Sequence, residues 1–461
     1  MLRLYFAALL SVLCMACTTT RTDDSAMPVI SIEGGDIQGV LSQDGNTEIY
    51  RGIPYAAPPV DSLRWKAPAP VVAWEGVKVC DTFGNAAMQA AHDPNDGNYG
   101  TEFFAQDANF SEDCLNLNVW TPRGASGNAE KKLPVAVWVH GGAFTGGWGF
   151  EPEMDGEAWA DRGVVLVTIN YRLGPFGFLN HPLLTAEGGG HSGNYGLMDQ
   201  IAALEWVKRN IAQFGGDPDA ITVFGQSAGA MSVKNLVASP LSRQLIKGAI
   251  VQSGGGLNLT PAPDMSQEEL DEIGLELMNL AGCETLDQMR AASYDQLAAA
   301  TAEYQKHNNL GIRLYSPHTD SVVLPLSFDR ATMAGEIADV PYMFGSVADD
   351  FPTLDSGFDV FATVRDSISD RPTYIYHFSG PIPTDGRPSI PGVFHSSELW
   401  YVFHTLKNSW RPFDEKDEEL SNRMVDYWTN FVKYGNPNGQ TAEGDWKAYT
   451  PATPYVQELA K

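Results

Sequence analysis

Apolar residues along most of the chain fall into short β-branched runs separated by stretches with helical spacing. The runs are "LNLNVW" (115–120), "PVAVWVH" (134–140), "GVVLVTINYR" (163–172), "AITVFG" (220–225), "KGAIVQSG" (247–254), "VPYMFG" (340–345) and "PTYIYHF" (372–378). Several are almost continuously apolar, which suits strands covered on both faces. Between them, "MDQIAALEWVKRNIAQFG" (198–215) sets Ile201, Leu204, Val207 and Ile211 on one helical face. Strands alternating with helices predict a mostly parallel sheet flanked by helices. The opening part, from "VISIEGGDIQGVLS" to "TEIYRGIPY", reads instead as antiparallel strands joined by glycine turns. Residues 264–310 carry helical spacing, and a cap-like helical insertion is placed at about 260–335. No repeat, low-complexity tract or charged linker follows residue 28, so 29–461 reads as one α/β domain.

Composition narrows the partners. The 461 residues include 11 Trp, 17 Tyr and 21 Phe, ample for a large core, and carry a formal net charge of −27. That charge argues against nucleic acid or anionic lipid surfaces, which need clustered cations. The N-terminal "MLRLYFAALLSVLCMAC" has Arg3, an apolar run from Leu4 to about Met15 and then small residues. It is a secretory signal pattern, too short to span a bilayer. Its end resembles a bacterial lipobox in which Cys17 is lipidated, although Cys14 stands where Leu or Val is usual. Residues 1–17 are therefore read as signal and 18–28 as a polar tether. The expected location is the bacterial periplasm or outer membrane, as a lipoprotein, with simple secretion as the alternative. Only the lipid anchor would touch a membrane. Without the signal cysteines, Cys80, Cys114 and Cys283 remain, an odd number that leaves at least one thiol free. No His or Cys cluster has metal-ligand spacing, so no metal and no cofactor are expected.

Candidate chemistry centres on "ITVFGQSAGAMS" (221–232), where a strand runs into Gly-x-Ser-x-Gly and then a helix-compatible run. Gly225 and Gly229 leave room for neighbouring backbone, and the sharp turn lifts Ser227 Oγ above the sheet. Serine is a weak nucleophile until a base takes its proton, so presenting it matters. A second element, "VAVWVHGGAFTGG" (135–147), ends a strand in consecutive small residues. There the N–H groups of Gly142 and Ala143, with that of Ala228 after the serine, can form an oxyanion hole.

These residues carry a family resemblance. The chain resembles the type-B carboxylesterases, the cholinesterase-like branch of the α/β-hydrolase fold, from about Val29 to its C-terminus. The matching blocks include "YRGIPYAAPPVDSLRWKAP" (50–68), "SEDCLNLNVWTP" (111–122), "HGGAF", "NYRLGPFGFL" (170–179), "NYGLMDQIAALEWVKRNIAQFGGDP" (194–218), "FGQSAGA" and "FHSSELWYVF" (394–403). The resemblance implies hydrolysis of small-molecule esters by a Ser-acid-His triad, without a cofactor. It implies His395 as the base. His140 would shape the oxyanion loop, while His181, His377 and His404 read as structural. The family usually has Asp-Glu-Gly at the acid; here "FGSVADDFPTL" puts Asp350 in that slot and Phe351 after it. Asp349 and Asp355 are the nearest substitutes should the register differ. Only 45 residues separate Asp350 from His395, fewer than the family pattern, where helices of the cap and gorge wall intervene. A more open pocket accepting bulky esters is the expectation, a loosened, weak enzyme the alternative. Gln226 replaces the acidic residue that cholinesterases carry before the nucleophile, so an acyl-choline preference is not implied. Ala87 replaces the family's partner for Cys114, which then pairs with Cys80 or stays free. Arg64 with Glu112, and Arg172 with Asp199, match buried ion pairs of the family. A non-catalytic adhesion protein on this scaffold is the competing reading; such proteins typically lose a triad member, and here all three positions hold competent chemistry. The same triad could also cut amides, lactones or phenolic esters.

Overall fold

The computed structural model describes residues 27–103, 108–260, 264–440 and 444–461. The signal, most of the tether and Cys17 lie outside the described residues.

The continuous apolar runs become the centre of a ten-stranded sheet. In chain order its strands are β1 (Val40–Leu41), β2 (Thr47–Pro54), β3 (Asn116–Pro122), β4 (Leu133–Val139), β5 (Val165–Ile169), β6 (Gly216–Gln226), β7 (Gly248–Gln252), β8 (Tyr342–Val347), β9 (Thr373–Phe378) and β10 (Gln457–Leu459). Across the sheet the order is β10-β9-β8-β7-β6-β4-β5-β3-β2-β1. From β5 to β10 every pairing is parallel, and β3, β2 and β1 add antiparallel pairs at one edge. The antiparallel start is thus as expected. A small side sheet pairs Val29–Ile32 antiparallel with Gly35–Gln38, around a turn at Gly34 (φ +103°).

The two-residue period of each strand separates two cores. Val135, Val137 and Val139 face one side, with Ala136 and Trp138 on the other. The first face is covered by α1 (Tyr195–Asn210) and α2 (Ala228–Ala238), through Leu197, Ile201, Leu204 and Val207 of α1 and Val233 and Leu236 of α2. The second is covered by Leu420, Met424, Val425, Trp428 and Phe431 of a C-terminal helix, Glu415–Tyr434. The predicted 198–215 helix starts earlier, at Tyr195, and gives way to a 3-10 turn over Ile211–Phe214, closed by Gly215 at φ +76°.

The helical excursion contains α3 (Gln267–Leu280), α4 (Leu286–Ala291) and α5 (Tyr294–Asn308). Each opens with a reciprocal cap, Ser266 with Glu269, Thr285 with Gln288 and Ser293 with Gln296, which satisfies two otherwise orphaned N–H groups. Arg64 ties the excursion to the body. It pairs with Glu112 (Nε to Oε2 2.7 Å) and donates to the carbonyl of Ala292 at 2.7 Å. Arg172 and Asp199 form a fully buried bidentate pair at 2.8 and 2.7 Å. Such pairs fix geometry more than they add stability. Cys80, Cys114 and Cys283 are all buried free thiols, so Cys114 and Cys80 do not pair.

Candidate active site

The site forms at the C-terminal ends of the parallel strands, where loops after β4, β6, β7, β8 and β9 converge. Close packing explains the glycines of the elbow. A Cβ at Gly229 would sit 2.0 Å from the Val139 carbonyl, and one at Gly225 would sit 2.6 Å from Gly229 backbone atoms. Ser227, between them, is held at φ +58°, ψ −125°, a costly conformation for a residue with a side chain. Its N–H donates to the Gln252 carbonyl at 2.9 Å, and its carbonyl accepts from Met231 N–H at 2.9 Å. Helix α2 begins directly behind it, with its positive end toward the hydroxyl.

The loop after β4 curls through three successive positive φ values, +102° at Gly142, +54° at Ala143 and +60° at Phe144. Successive N–H groups in such a curl point to one side as an anion nest. The Gly142 carbonyl is turned the other way and accepts from Thr145 and Gly146 at 3.0 and 2.9 Å. Among the described residues, no acceptor takes the N–H groups of Gly142, Ala143 or Ala228. Gly142 and Ala143 are exposed. Gly141 lies close under the serine; a Cβ there would approach Ser227 Cβ to 3.2 Å. Buried Phe144 anchors the curl, its carbonyl accepting from Gly174 N–H at 2.7 Å and its ring edge-on to Phe178. His140 stacks on Tyr171 and donates through Nδ1 to the Gly141 carbonyl at 2.8 Å. Burial lowers its pKa to about 4, so it is a neutral brace at pH 7.

Asp350 and His395, distant in sequence, meet at 2.7 Å, Oδ1 to Nδ1. The same Oδ1 accepts the Phe351 N–H at 2.8 Å. Burial pushes the Asp350 carboxyl up, but the His395 contact, the Ser253 hydroxyl and the Phe351 N–H outweigh it and hold it below its ordinary value. Asp349 does something else. It forms a β-bridge to Phe394 and accepts the Val393 N–H at 2.8 Å, joining the loop after β8 to the loop that delivers His395. Asp355 bonds to Ser346 instead. Arg411 secures the His395 loop from below, bonded to buried Glu102 and to the carbonyls of Pro383 and Ile390. Of the other histidines, His181 caps a short helix through Leu183 N–H, His377 faces Glu458 and His404 bonds Ser421.

Three site features were not foreseen from sequence. His395 Nε2 faces the side-chain amide of Gln226 at 3.2 Å, and among the described residues no hydrogen bond joins it to Ser227 Oγ. Ser253, just past β7, is buried near Asp350, yet among the described residues its hydroxyl has no hydrogen-bond partner. Glu398 is buried near Asp350, with Oε1 3.4 Å from the Gln252 amide and, among the described residues, Oε2 without a partner. Burial, reinforced by the Asp350 charge, raises its pKa to about 8.

Glu398 makes stability depend on pH with a definite sign. Between its ordinary value and about 8, the unfolded chain releases this proton while the folded protein keeps it. Folding stability contributed here therefore falls as pH rises through that window. Buried Glu151 and Glu153 act in the same direction, both raised by burial and Glu153 further by the neighbouring Glu151. Asp350 acts oppositely, but only as pH falls below the ordinary carboxylate value. In urea titrations from pH 5 to 8, Glu398→Gln should gain on the parent as pH rises, by roughly a few kcal/mol at pH 8. A pH-independent difference would refute this.

Fold and site together define an α/β-hydrolase. A family model described as the carboxylesterase family matches residues 26–359 and 354–461, the two parts meeting just beyond Asp350. Among curated relatives, para-nitrobenzyl esterase of Bacillus subtilis (strain 168) is 33% identical over 480 residues, covering 92% of this chain and 93% of that one. Fumonisin B1 esterase of Sphingopyxis macrogoltabida is 39% identical over 335 residues, 72% of this chain and 57% of that one. The solved structure of a thermophilic PNB esterase superposes with a TM-score of 0.80 at 29% identity, covering 94% and 96% of the two chains. The chain belongs to the carboxylesterase family and is a carboxylic ester hydrolase.

Proposed function

We propose that the chain hydrolyses small-molecule carboxylic esters through an acyl-enzyme on Ser227. His395 takes the Ser227 proton as Oγ attacks the ester carbonyl, then passes it to the departing alcohol oxygen. Asp350 holds the imidazole with Nδ1 protonated and stabilises the imidazolium. The N–H groups of Gly142, Ala143 and Ala228 receive the developing oxyanion. A water activated by His395 then cleaves the acyl-serine. For this, Nε2 exchanges its Gln226 contact for the neighbouring Ser227 hydroxyl. The observation that carries the reading is the 2.7 Å Asp350–His395 bond, set beside a strained serine and a curl of uncommitted N–H groups.

The test is diethyl p-nitrophenyl phosphate. Ser227 Oγ should form a bond to phosphorus, releasing one p-nitrophenolate per chain and leaving a diethylphosphoryl group on the peptide that contains Ser227. Labelling elsewhere, or none in folded protein, would refute the assignment.

The site should admit bulky esters. Exposed Gly142 and Ala143, and an exposed Phe351 beside His395, favour a mouth open on the acid–base side. Export and lipidation at Cys17 complete the proposal, on the strength of the N-terminal pattern. Intact mass of detergent-extracted protein would show a diacylglyceryl-modified Cys17 at the N-terminus, or its absence.

A further inference from the structure

Phe351 occupies the position after the acid where the resembled family carries glycine. It is 53% exposed, whereas the imidazole it touches is 7% exposed. Leaving an aromatic ring half in water forfeits apolar burial, so its placement needs a reason. The other phenylalanine among the exposed apolar side chains, Phe83, is stacked on Phe150 and lies under Arg51. Among the described residues, the one ring that Phe351 meets is the His395 imidazole, at 5.1 Å between centroids and 58° between planes. More than half of its surface is left to solvent.

The backbone beneath the ring is tied down. Phe351 N–H is bonded to Asp350 Oδ1 at 2.8 Å, and its carbonyl accepts from Leu354 and Asp355 at 2.8 and 3.2 Å. The backbone that contacts the Asp350 carboxylate therefore also fixes where this ring is attached. The reaction geometry then assigns its neighbour. An ester bound for attack places its carbonyl oxygen at the Gly142, Ala143 and Ala228 N–H groups and its alcohol oxygen at the imidazole that will protonate it. A ring packed against that imidazole and open to solvent is closer to the alcohol half of such a substrate than to the acyl half.

We infer that Phe351 is a specificity-determining residue that recognises the alcohol portion of the ester, favouring aryl and arylalkyl alcohols over small aliphatic ones. The inference rests on the Ser227–His395–Asp350 reading. Offset or edge-to-face contact between such an alcohol and the Phe351 ring supplies the preference, and the short acid–base interval leaves the ring uncovered.

The test compares kcat/KM for benzyl butyrate and methyl butyrate, which share an acyl group. In Phe351→Ala the benzyl-to-methyl ratio should fall about three- to tenfold, and Phe351→Tyr, which keeps the ring, should restore it. The butyrate-to-acetate ratio at a fixed alcohol should not move in either variant. An unchanged benzyl-to-methyl ratio, an equal loss on both esters, or a shift confined to the acyl ratio would each overturn the inference. Ser227→Ala run alongside separates the two claims. Its full turnover would sink the triad reading, whereas inactive Ser227→Ala with an unchanged Phe351→Ala ratio would sink only this one.

Discussion

Replacing Ser227 with alanine should lower kcat toward p-nitrophenyl butyrate by about 10⁵- to 10⁶-fold, with the protein still folded. The loss is large because, in the proposed mechanism, His395 and Asp350 act only through the nucleophile. His395 would have no proton to take, and Asp350 would orient an idle imidazole. What persists comes from the oxyanion N–H groups and from binding, neither of which the substitution touches. Folding should tolerate it, since Ser227 is held through its backbone: its N–H is bonded to Gln252 and its carbonyl to Met231. Steady-state turnover with far-ultraviolet circular dichroism as the folding check decides the matter. A fall of less than about tenfold would transfer the nucleophile's role elsewhere.

The second large effect belongs to the acid. Asp350→Asn should reduce kcat by about 10⁴-fold while changing stability little by comparison. In the proposed mechanism the carboxylate accepts the Nδ1 proton at 2.7 Å, which leaves Nε2 unprotonated to act as base. An amide in its place can donate its own N–H to Nδ1, which drives the imidazole proton to Nε2, where it blocks proton transfer from serine. The side chain is buried and its Oδ1 also receives the Phe351 N–H, so an amide NH2 turned toward Nδ1 forfeits that bond, while an amide oxygen left there keeps the geometry but withholds the charge that stabilises the imidazolium. Single-turnover rates for acylation would show the loss directly. If Asp349→Asn, by contrast, produced the larger fall, the acid would have to be reassigned.

The parallel strands were legible because each is a nearly unbroken apolar run, and burial on both faces leaves that mark in sequence. The elbow and the curl after β4 were legible because glycine is demanded where backbones touch, as at Gly229 against Val139. Other elements left weaker traces. Strand β10 is three residues long, too short for a period to show, and exists because the edge of β9 offers it partners. The Glu415–Tyr434 helix opens with a dense run of charges, which hid a stripe of Leu420, Met424, Trp428 and Phe431 at helical spacing, with Asp414 as its cap. That stripe and cap were readable signals. The contacts around the base were not. Gln226 and His395 are 169 residues apart, and nothing in spacing announces that their side chains meet. Nothing in the sequence marks Glu398 as buried; only the folded chain sets it against the Gln252 amide and near Asp350 and Tyr376.

The Asp349–Phe394 bridge has an architectural consequence. Because it pins the loop after β8 to the loop before His395 at their roots, the acid and base form a closed unit whose geometry does not depend on the length of chain between them. Much of the chain between them is, for the chemistry, an attachment, apart from the strand and helix that complete the sheet, the Phe351 N–H that Asp350 accepts and the Pro383 and Ile390 carbonyls that Arg411 holds. That is how a 45-residue interval can coexist with a 2.7 Å acid–base contact. The same independence makes the stretch after Phe351 and the stretch before Gly392 natural grafting points, where a wall could be lengthened to narrow the substrate range without retuning the catalyst beneath it.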